Sequence, residues 1–278
     1  MERIGQLQAS RNAETLDGWT CFAAHRERVT KLLLEAAPLA AGKLCVLGAG
    51  NCNDLALGQL VEGFAHVDLV DIDEEAITAG MARQGIATGH VTPHGRIDVT
   101  GVAHLMSAWT PELPVSDEQV DACIAIAKQA PLPLEANCYA VAASICLLSQ
   151  LIESIVLTMG EGHPRFLELV TCTRREHLRQ LIELAMAGGT VVLITDVVSS
   201  VTVPELATAA DFELPALVGR AIAERNFFTG VNPFVIKRML ETESPFATQL
   251  TDVRLSNPWV WNLGPRLYAV CALTAKRL

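Results

Sequence analysis

The fold is decided by residues 44–54, LCVLGAGNCND, and residues 67–73, VDLVDID. Each segment opens with a mainly apolar run that is typical of a buried parallel strand. The first run leads into a turn with two glycines, and the second ends on the carboxylate of Asp71. This order of elements predicts a crevice that binds a nucleoside at the carboxyl ends of parallel strands.

The residue types in and after the turn favour such a ligand. Gly48 and Gly50 let the backbone approach a ligand that a side chain would keep away. Asn53 is predicted to cap a helix over Asp54–Phe64, whose exposed N–H groups attract an anionic group. Asp71 is expected to accept hydrogen bonds from both hydroxyls of a ribose. The expected ligand is therefore a cofactor that contains adenosine.

The glycine spacing leaves two cofactors open. A dinucleotide fingerprint requires G-x-G-x-x-G, and Asn53 stands at its third glycine. A loop for S-adenosylmethionine (SAM) runs G-x-G-x-G, and Cys52 stands at its third glycine. The turn alone does not separate SAM from a nicotinamide dinucleotide.

Length and charge limit the possible partners. A chain of 278 residues suffices for one α/β domain with additions. The net charge of −10 argues against nucleic acid as a partner, since phosphate contacts need a surplus of Lys and Arg. Residues 136–152 are uncharged but too short and too polar for a membrane span, so no membrane association is predicted. No oligomeric state is predicted.

The cysteines indicate the compartment. Most of the eight lie in apolar runs, as small core residues do, and no C-x-x-C pair occurs. No metal site is therefore expected. The absence of a signal peptide and the expectation of reduced thiols predict a cytoplasmic protein.

Strand and helix patterns alternate along the chain. The predicted strands are Lys43–Leu47, His66–Val70, one within Val91–Val99 that ends on Asp98, Cys138–Ala143 before Ser144, and Thr190–Thr195 before Asp196. The predicted helices are Gly18–Ala37, Asp54–Phe64, Asp73–Arg83, Asp117–Ala130, Ile145–Met159 and Arg165–Ala187. Residues 121–126 are an alternative for the fourth strand, although the apolar positions around them favour the helix.

The ends of these elements carry their own signals. Residues 1–17 are polar and predicted to be loosely held, and Pro38 with Gly42 is predicted to end the first helix. Gly188-Gly189 is predicted to cap a helix and return the chain tightly to the sheet. Residues 203–243 are predicted to form two or three helices. A closing β-hairpin is predicted from two strand patterns, Trp259 to Trp261 and Arg266–Lys276, with a turn at 262–265 between them.

Together these features resemble the class I SAM-dependent methyltransferases, over about residues 40–278. The matching pieces are residues 47–50, Asp71, Asp98, residues 188–190 and the closing hairpin. The resemblance implies a doubly wound α/β fold with a seven-stranded, mainly parallel sheet and an antiparallel strand from the hairpin beside strand five. Residues 1–40 are interpreted as an N-terminal helical cap, 41–278 as the SAM-binding domain, and 203–243 as its helical substrate-pocket section.

The resemblance also implies residue roles. Gly48 and Gly50 would line the methionine moiety and ribose, Asp71 the ribose hydroxyls, Asp98 and Val99 the adenine, and Ser144 the methionine end. The full set expected to bind the cofactor is Gly48, Ala49, Gly50, Asn53, Asp71, Ile72, Asp98, Val99 and Ser144. Val46 departs from the acidic residue that the family usually carries there, so Asp54 or a carbonyl is expected to hold the cofactor ammonium.

Methyl transfer from a sulfonium depends mainly on alignment, and a general base helps when the acceptor must lose a proton. His25 and Asp196 are the candidate bases. Trp19, Gln150 and Trp259 are candidates for binding the acceptor. The predicted function is methyl transfer to the oxygen, nitrogen or carbon of a small molecule. The alternatives are a non-catalytic SAM-binding protein, aminocarboxypropyl transfer from SAM, and a NAD-dependent oxidoreductase.

Overall fold

The computed structural model describes residues 2–37 and 42–278. Its eight strands form one sheet: β1 Lys43–Leu47, β2 His66–Val70, β3 Val91–His94, β4 Tyr139–Ile145, β5 Ala185–Ser199, β6 Leu250–Leu255, β7 Trp259–Asn262 and β8 Leu267–Arg277. The strand order is β3-β2-β1-β4-β5-β8-β6, with β7 also paired to β8. Strands β1 to β5 are parallel, whereas β8 runs antiparallel to β5, β6 and β7.

Helices cover both faces of this sheet: α1 Arg3–Glu14, α2 Ala23–Ala36, α3 Leu57–Gly63, α4 Glu74–Arg83, α5 Ala103–Met106, α6 Asp117–Gln129, α7 Leu147–Met159, α8 Phe166–Leu184, α9 Leu214–Ala223 and α10 Pro233–Thr242. Strand β1 shows how the two layers arise. Leu44 and Val46 belong to the apolar cluster shared with α2, α3 and α4, and Cys45 and Leu47 to the cluster shared with α6, α7 and α8. Alternate side chains of one strand therefore supply both cores.

The predicted fold class is confirmed. The sheet is doubly wound and mainly parallel, and its last strand lies antiparallel beside β5. Residues 117–129 are helical, so the helix rather than the alternative strand at 121–126 is correct. Strand β6 was not predicted and makes the sheet eight-stranded. It pairs with residues 273–277 of β8, and its register is broken near Asp252, whose φ is 56°, so it lacks a regular alternating pattern.

Three local predictions are wrong. Residues 1–17 contain helix α1, which the sequence conceals because only Ile4 and Gly5 are buried along it. The helix expected from Asp54 begins at Leu57, with Ala56 at its N-cap, so Asn53 does not cap it. Gly188 and Gly189 lie inside β5, since α8 passes into that strand without a loop. Pro38, the predicted helix terminator, lies outside the described residues.

Gly189 has a structural role in β5. A Cβ atom on this residue would lie 3.0 Å from Tyr139 O and 3.1 Å from Ala140 O. The register between β4 and β5 shifts at the same place, between Tyr139 and Val141. The glycine therefore allows two strand backbones to approach closely where their pairing is irregular.

None of the described helices combines the length and the apolar character that crossing a membrane requires.

Helix α4 packs directly on the glycine turn after β1, and Gly80 makes this contact possible. A Cβ atom at Gly80 would lie 2.3 Å from Asn51 O and 3.0 Å from Cys52 Cβ. We expect Gly80→Ala to displace the turn and to lower the free energy of unfolding by about 1–3 kcal/mol, as overpacking does. Urea denaturation measures this change.

Gly58→Ala is the matched control, because Gly58 also lies in a helix but has nothing within 4 Å of its would-be Cβ. This variant should be neutral or gain up to about 1 kcal/mol. Equal losses in the two variants would contradict the packing argument.

Candidate functional site

A cavity of about 640 Å³ lies at the carboxyl ends of β1, β2, β4 and β5. Its volume falls within the range of small-molecule pockets. Its floor is the glycine turn after β1, residues 70–72 after β2, and residues 97–100 after β3. Helix α1 covers it with Ile4, Gln8, Arg11 and Asn12, and Thr15 at the C-cap of this helix also lines it. The segment expected to be loosely held is therefore the roof of the cavity.

The glycine turn is fixed to β2 by its own backbone. The N–H groups of Gly48 and Ala49 both donate to Val70 O, at 2.9 and 3.2 Å. Gly48 has a φ of 80°, and a Cβ there would lie 2.8 Å from Leu147 Cβ. The turn thus fits between the ends of β2 and β4 only because it carries no side chain at this position.

Cys52 occupies the position of the third glycine. It has a φ of 53°, in the left-handed region that favours glycine, and its side chain is fully buried in the core. Burial is the main cause that raises the pKa of the thiol, and the nearby carboxylate of Asp71 raises it further. The side chain does not line the cavity. Cys52 is therefore a protonated core residue, and it adopts the backbone conformation of the glycine that it replaces.

Asp71 connects the turn to the next helix. Its Oδ2 accepts a hydrogen bond from Gly50 N at 2.8 Å, and its Oδ1 accepts one from Asp73 N at 3.0 Å. Burial raises the pKa of this carboxyl, and the two backbone hydrogen bonds oppose the shift. Asp71 lines the cavity, and each oxygen keeps a further lone pair for a ligand hydroxyl.

Asp98 organises the loop after β3. Strand β3 ends at His94 rather than at Asp98 as predicted, because residues 95–102 form turns before α5. The Oδ1 of Asp98 accepts from Thr100 N at 2.9 Å and Thr100 Oγ1 at 2.6 Å, and its Oδ2 accepts from Ala103 N at 2.8 Å. This carboxylate holds its own loop in place and, with Val99, lines the cavity.

Two buried asparagines in the turn hold the roof. Asn51 Nδ2 donates to Asn12 O at 2.5 Å, and Asn53 Nδ2 donates to Thr15 O at 2.7 Å. Asn12 Nδ2 in turn donates to Asp73 Oδ2 at 3.0 Å. Helix α1 is thus attached to the turn largely by polar contacts, and Asn53 anchors the roof instead of capping a helix.

Asp54 lies between the cavity and His25. Its Oδ1 is buried without a hydrogen-bond partner among the described residues, as is Asn53 Oδ1, and both residues line the cavity. His25 lies behind Asp54, with Nε2 3.3 Å from Asp54 Oδ1. Trp259 Nε1 donates to His25 Nδ1 at 3.0 Å, which leaves Nε2 as the ring nitrogen that faces Asp54.

Four predicted site residues do not line the cavity. His25 and Trp259 lie behind Asp54, away from any acceptor. Ser144 is fully buried one residue before the end of β4, where it hydrogen-bonds His177 Nε2 at 2.8 Å. Trp19 stacks with Arg26, whose guanidinium carbon is 3.4 Å from the ring centroid. Trp259 and Trp261 lie on the same face of β7, and only Trp261, which is nearer the end of the strand, lines the cavity.

Asp196 and Gln150 lie on the other side of the cavity from Asp71, and both line it. Asp196 is 6% exposed, and Ser149 Oγ donates to its Oδ1 at 2.5 Å. Burial raises the pKa of this carboxyl to about 6; Glu153 adds to the shift, and Ser149 and His25 oppose it. Gln150 Nε2 donates to Cys146 O at 3.2 Å.

Several cavity residues were not predicted. Ser149 follows a strand end and was hidden within a helix pattern. Phe228 and Tyr268 come from distant parts of the chain, and their ring centroids lie 6.0 Å apart, while those of Trp261 and Tyr268 lie 5.5 Å apart. All three rings line the cavity. Among the described residues, no three His, Cys, Asp or Glu side chains are grouped to hold a metal ion.

Comparison with known proteins finds no matching family model and no matching curated sequence. Solved structures do resemble the chain. A candidate SAM-dependent methyltransferase from Methanococcus maripaludis aligns over 97% of this chain and 94% of its own, at 11% identity and a TM-score of 0.46. A candidate RNA methyltransferase from Pyrococcus horikoshii covers 91% and 83%, at 12% identity and a TM-score of 0.43.

At 11 and 12% identity, these likenesses assign no role to any residue of this chain. The chain has a doubly wound α/β fold in which the antiparallel β8 lies between β5 and β6.

One prediction about partners is wrong. The net charge argues against nucleic acid, yet the solved structures similar to this chain include the candidate RNA methyltransferase from Pyrococcus and an rRNA methylase from Streptococcus thermophilus (12% identity, covering 90% of this chain and 93% of that one, TM-score 0.36). The physical reason is that net charge sums over the whole surface, whereas a nucleic acid contacts one face of it.

The roof contacts predict a local effect on stability. Asn53→Ala removes the hydrogen bond to Thr15 O, so amide hydrogen exchange in α1 should become faster while α2 keeps its protection. Asn257→Ala, on an exposed residue, is the control. Unchanged protection of residues 3–14 in Asn53→Ala would contradict the anchoring role.

The raised pKa of Asp196 predicts a pH-dependent stability. Its ordinary value is 3.8 and its folded value about 6, so the folded state binds the proton more tightly and loses stability as the pH rises through this interval. Asp196→Asn should therefore raise the free energy of unfolding at pH 8 by roughly 1–3 kcal/mol and change it little at pH 4.

Urea denaturation at both pH values measures this difference, and Asp211→Asn, which removes an exposed carboxylate, serves as control. Equal stability of Asp196→Asn and the unmodified protein at pH 8 would refute the assignment of a buried charge.

Proposed function

We propose that the protein is a SAM-dependent methyltransferase. The observation that carries this proposal is the juxtaposition of the Gly48–Gly50 turn, the carboxylate of Asp71 and the carboxylate of Asp54 in one cavity. The carboxylate of Asp71 suits a ribose, and the carboxylate of Asp54 suits a cation. SAM carries both a ribose and cationic groups.

The charges around the turn favour SAM over a dinucleotide. A pyrophosphate needs free N–H groups at a helix N-terminus. Here Asn53 and the carboxylate of Asp54 line the cavity, and α3 starts three residues beyond Asp54, at Leu57. A pyrophosphate at this place would face a carboxylate. An ammonium group would instead pair with the carboxylate of Asp54, so Asp54 compensates for Val46, which is buried in the core.

Each remaining part of the cofactor has a partner of suitable chemistry. The apolar surface of Ile72 and Val99 suits the adenine ring, next to the loop that Asp98 holds in place. Gly48, Ala49 and Gly50 supply a backbone surface for the methionine part. Ser144 is too deeply buried to touch the cofactor and is left out of the proposed site.

When bound, SAM supplies an activated methyl group on a sulfonium. The chain then has to align an acceptor, exclude water and accept a proton. Helix α1 covers the cavity and limits the access of water. Asp196 is the proposed proton acceptor, since its pKa of about 6 leaves it ionised but basic near neutral pH. His25 is proposed as a positioning residue for Asp54, at 3.3 Å.

The proposed acceptor is a small molecule. The cavity is covered by α1. Its side is lined by residues 227–229 of the helical section 203–243 and by residues 201–202, which precede that section. A covered cavity of this size accepts a small ligand more readily than a polymer.

We propose residues 1–40 as the cap and 41–278 as the methyltransferase domain. The eight free cysteines favour a cytoplasmic location.

Calorimetry with SAM, S-adenosylhomocysteine and NAD(H) tests the cofactor. The first two should bind, and NAD(H) should not. Asp71→Asn should weaken the binding of SAM about 10- to 100-fold, because an amide cannot accept from both ribose hydroxyls while also holding Gly50 and Asp73.

Glu75→Gln removes the same charge from an exposed helix position and should leave the affinity unchanged. Binding of NAD(H) alone would favour an oxidoreductase, and binding of neither cofactor would favour an interaction protein. RNA that is methylated in place of small acceptors would overturn the proposed acceptor class.

A further inference from the structure

We propose that the acceptor is a protonated amine, held by the carboxylate of Asp196 and by the rings of Phe228, Trp261 and Tyr268. This inference rests on the proposed function and narrows its acceptor from any nucleophile to an ammonium group. Three features of the described cavity support it: a buried carboxylate without a cation, an aromatic wall, and the arrangement of the other charges.

Asp196 is a buried acid that lacks a basic partner. It is 6% exposed and lines the cavity, and no Lys, Arg or His of the described residues lies within ion-pair distance. Its hydrogen bond from Ser149 Oγ satisfies Oδ1 only in part. Burying a carboxylate without a counter-ion is costly, and folding alone gives no reason to place one here. A cationic ligand would supply the missing charge.

The aromatic wall suits the same ligand. The rings of Phe228, Tyr268 and Trp261 form a continuous series, with centroid separations of 6.0 and 5.5 Å. Phe228 comes from the loop before α10, Tyr268 from β8 and Trp261 from β7, and β8 pairs with both β5 and β7. Aromatic faces attract an ammonium group, more strongly when it is desolvated. A neutral alcohol gains neither this attraction nor the ion pair.

The other charged groups in this part of the cavity leave its preference for a cation unchanged. Arg11 is ion-paired with Glu153. Glu161 adds a second acid and accepts a hydrogen bond from Thr229. Arg266 lies exposed at the rim, where it interacts with Tyr268, and it is the group that would attract an anionic acceptor instead.

The chemistry balances with SAM as the methyl donor. The ammonium group transfers a proton to a carboxylate oxygen of Asp196, which leaves a neutral amine with a free lone pair. The amine nitrogen then attacks the methyl carbon, and the N–C bond forms as the C–S bond breaks. The electron pair of that bond goes to sulfur, which becomes a neutral thioether, and the methylated product leaves as an ammonium ion.

The test is calorimetry with three probes of matched size, benzylamine, benzyl alcohol and benzoate, each titrated into protein that is saturated with S-adenosylhomocysteine at pH 7.5. Benzylamine should bind at least about tenfold more tightly than either other probe, as expected for a desolvated ion pair with cation–π contacts. Equal binding of benzyl alcohol would overturn the inference. Tighter binding of benzoate would also overturn it and would point to Arg266.

Two variants locate the effect. Asp196→Asn keeps the acceptor for Ser149 Oγ and should lose the preference for the amine, whereas Asp211→Asn should keep it. Phe228→Leu keeps apolar bulk without a ring and should weaken benzylamine about three- to tenfold, with little effect on benzyl alcohol. A preference that survives in Asp196→Asn would refute the role of that carboxylate.

The prior saturation step separates this inference from the proposed function. Failure of S-adenosylhomocysteine to bind would overturn both. Binding of S-adenosylhomocysteine without a preference for benzylamine would overturn the amine alone and leave the methyltransferase proposal in place.

Discussion

The hydrogen bond from Gly50 N to Asp71 Oδ2, 2.8 Å long, is the interaction on which the rest of the site depends. It joins the turn after β1 to the end of β2, and the bonds of Gly48 and Ala49 to Val70 O continue the same contact. The position of the turn fixes its two asparagines, which hold α1. Two backbone segments and one carboxylate therefore determine the floor of the cavity, and through it the roof.

The acceptor side follows a different principle. Each oxygen of Asp71 and of Asp98 accepts a hydrogen bond from a backbone N–H, so both carboxylates hold their loops in place. Asp196 accepts a hydrogen bond from the hydroxyl of Ser149 and has an aromatic wall nearby. A carboxylate with backbone partners keeps its position without a ligand, whereas a buried carboxylate without a counter-ion reduces stability and is available to a cationic ligand.

The sequence predicts the parts that rest on periodicity. Strands β1 and β2 have the predicted bounds, α6 has its predicted identity, and Asp73 caps α4 with Ala76 N as donor. These elements bury regular apolar faces, which leave a readable pattern. Helix α1 leaves none, because it is held by Asn51 and Asn53 and buries little. Strand β6 is irregular near Asp252 for a comparable reason.

Site residues were predictable where a backbone motif places them. Gly48, Gly50 and Asp71 line the cavity as the glycine turn and the end of β2 imply, and Asp98 lines it from the loop after β3. His25 and Trp259 have suitable chemistry, but the direction of their side chains depends on the packing of α2 against β7, which one sequence does not encode locally. Tyr268 and Phe228 become neighbours only through the antiparallel pairing of β8, a contact between distant segments.

The polar attachment of α1 has a thermodynamic consequence. Release of this helix would break hydrogen bonds to Asn51, Asn53 and Asp73 but would expose little apolar surface, since Ile4 is its one buried large apolar side chain. Both the heat-capacity change and the denaturant sensitivity of a transition scale with the surface that it exposes. The cavity can therefore open with a free energy that varies little with temperature or urea, while the apolar core beneath it remains folded.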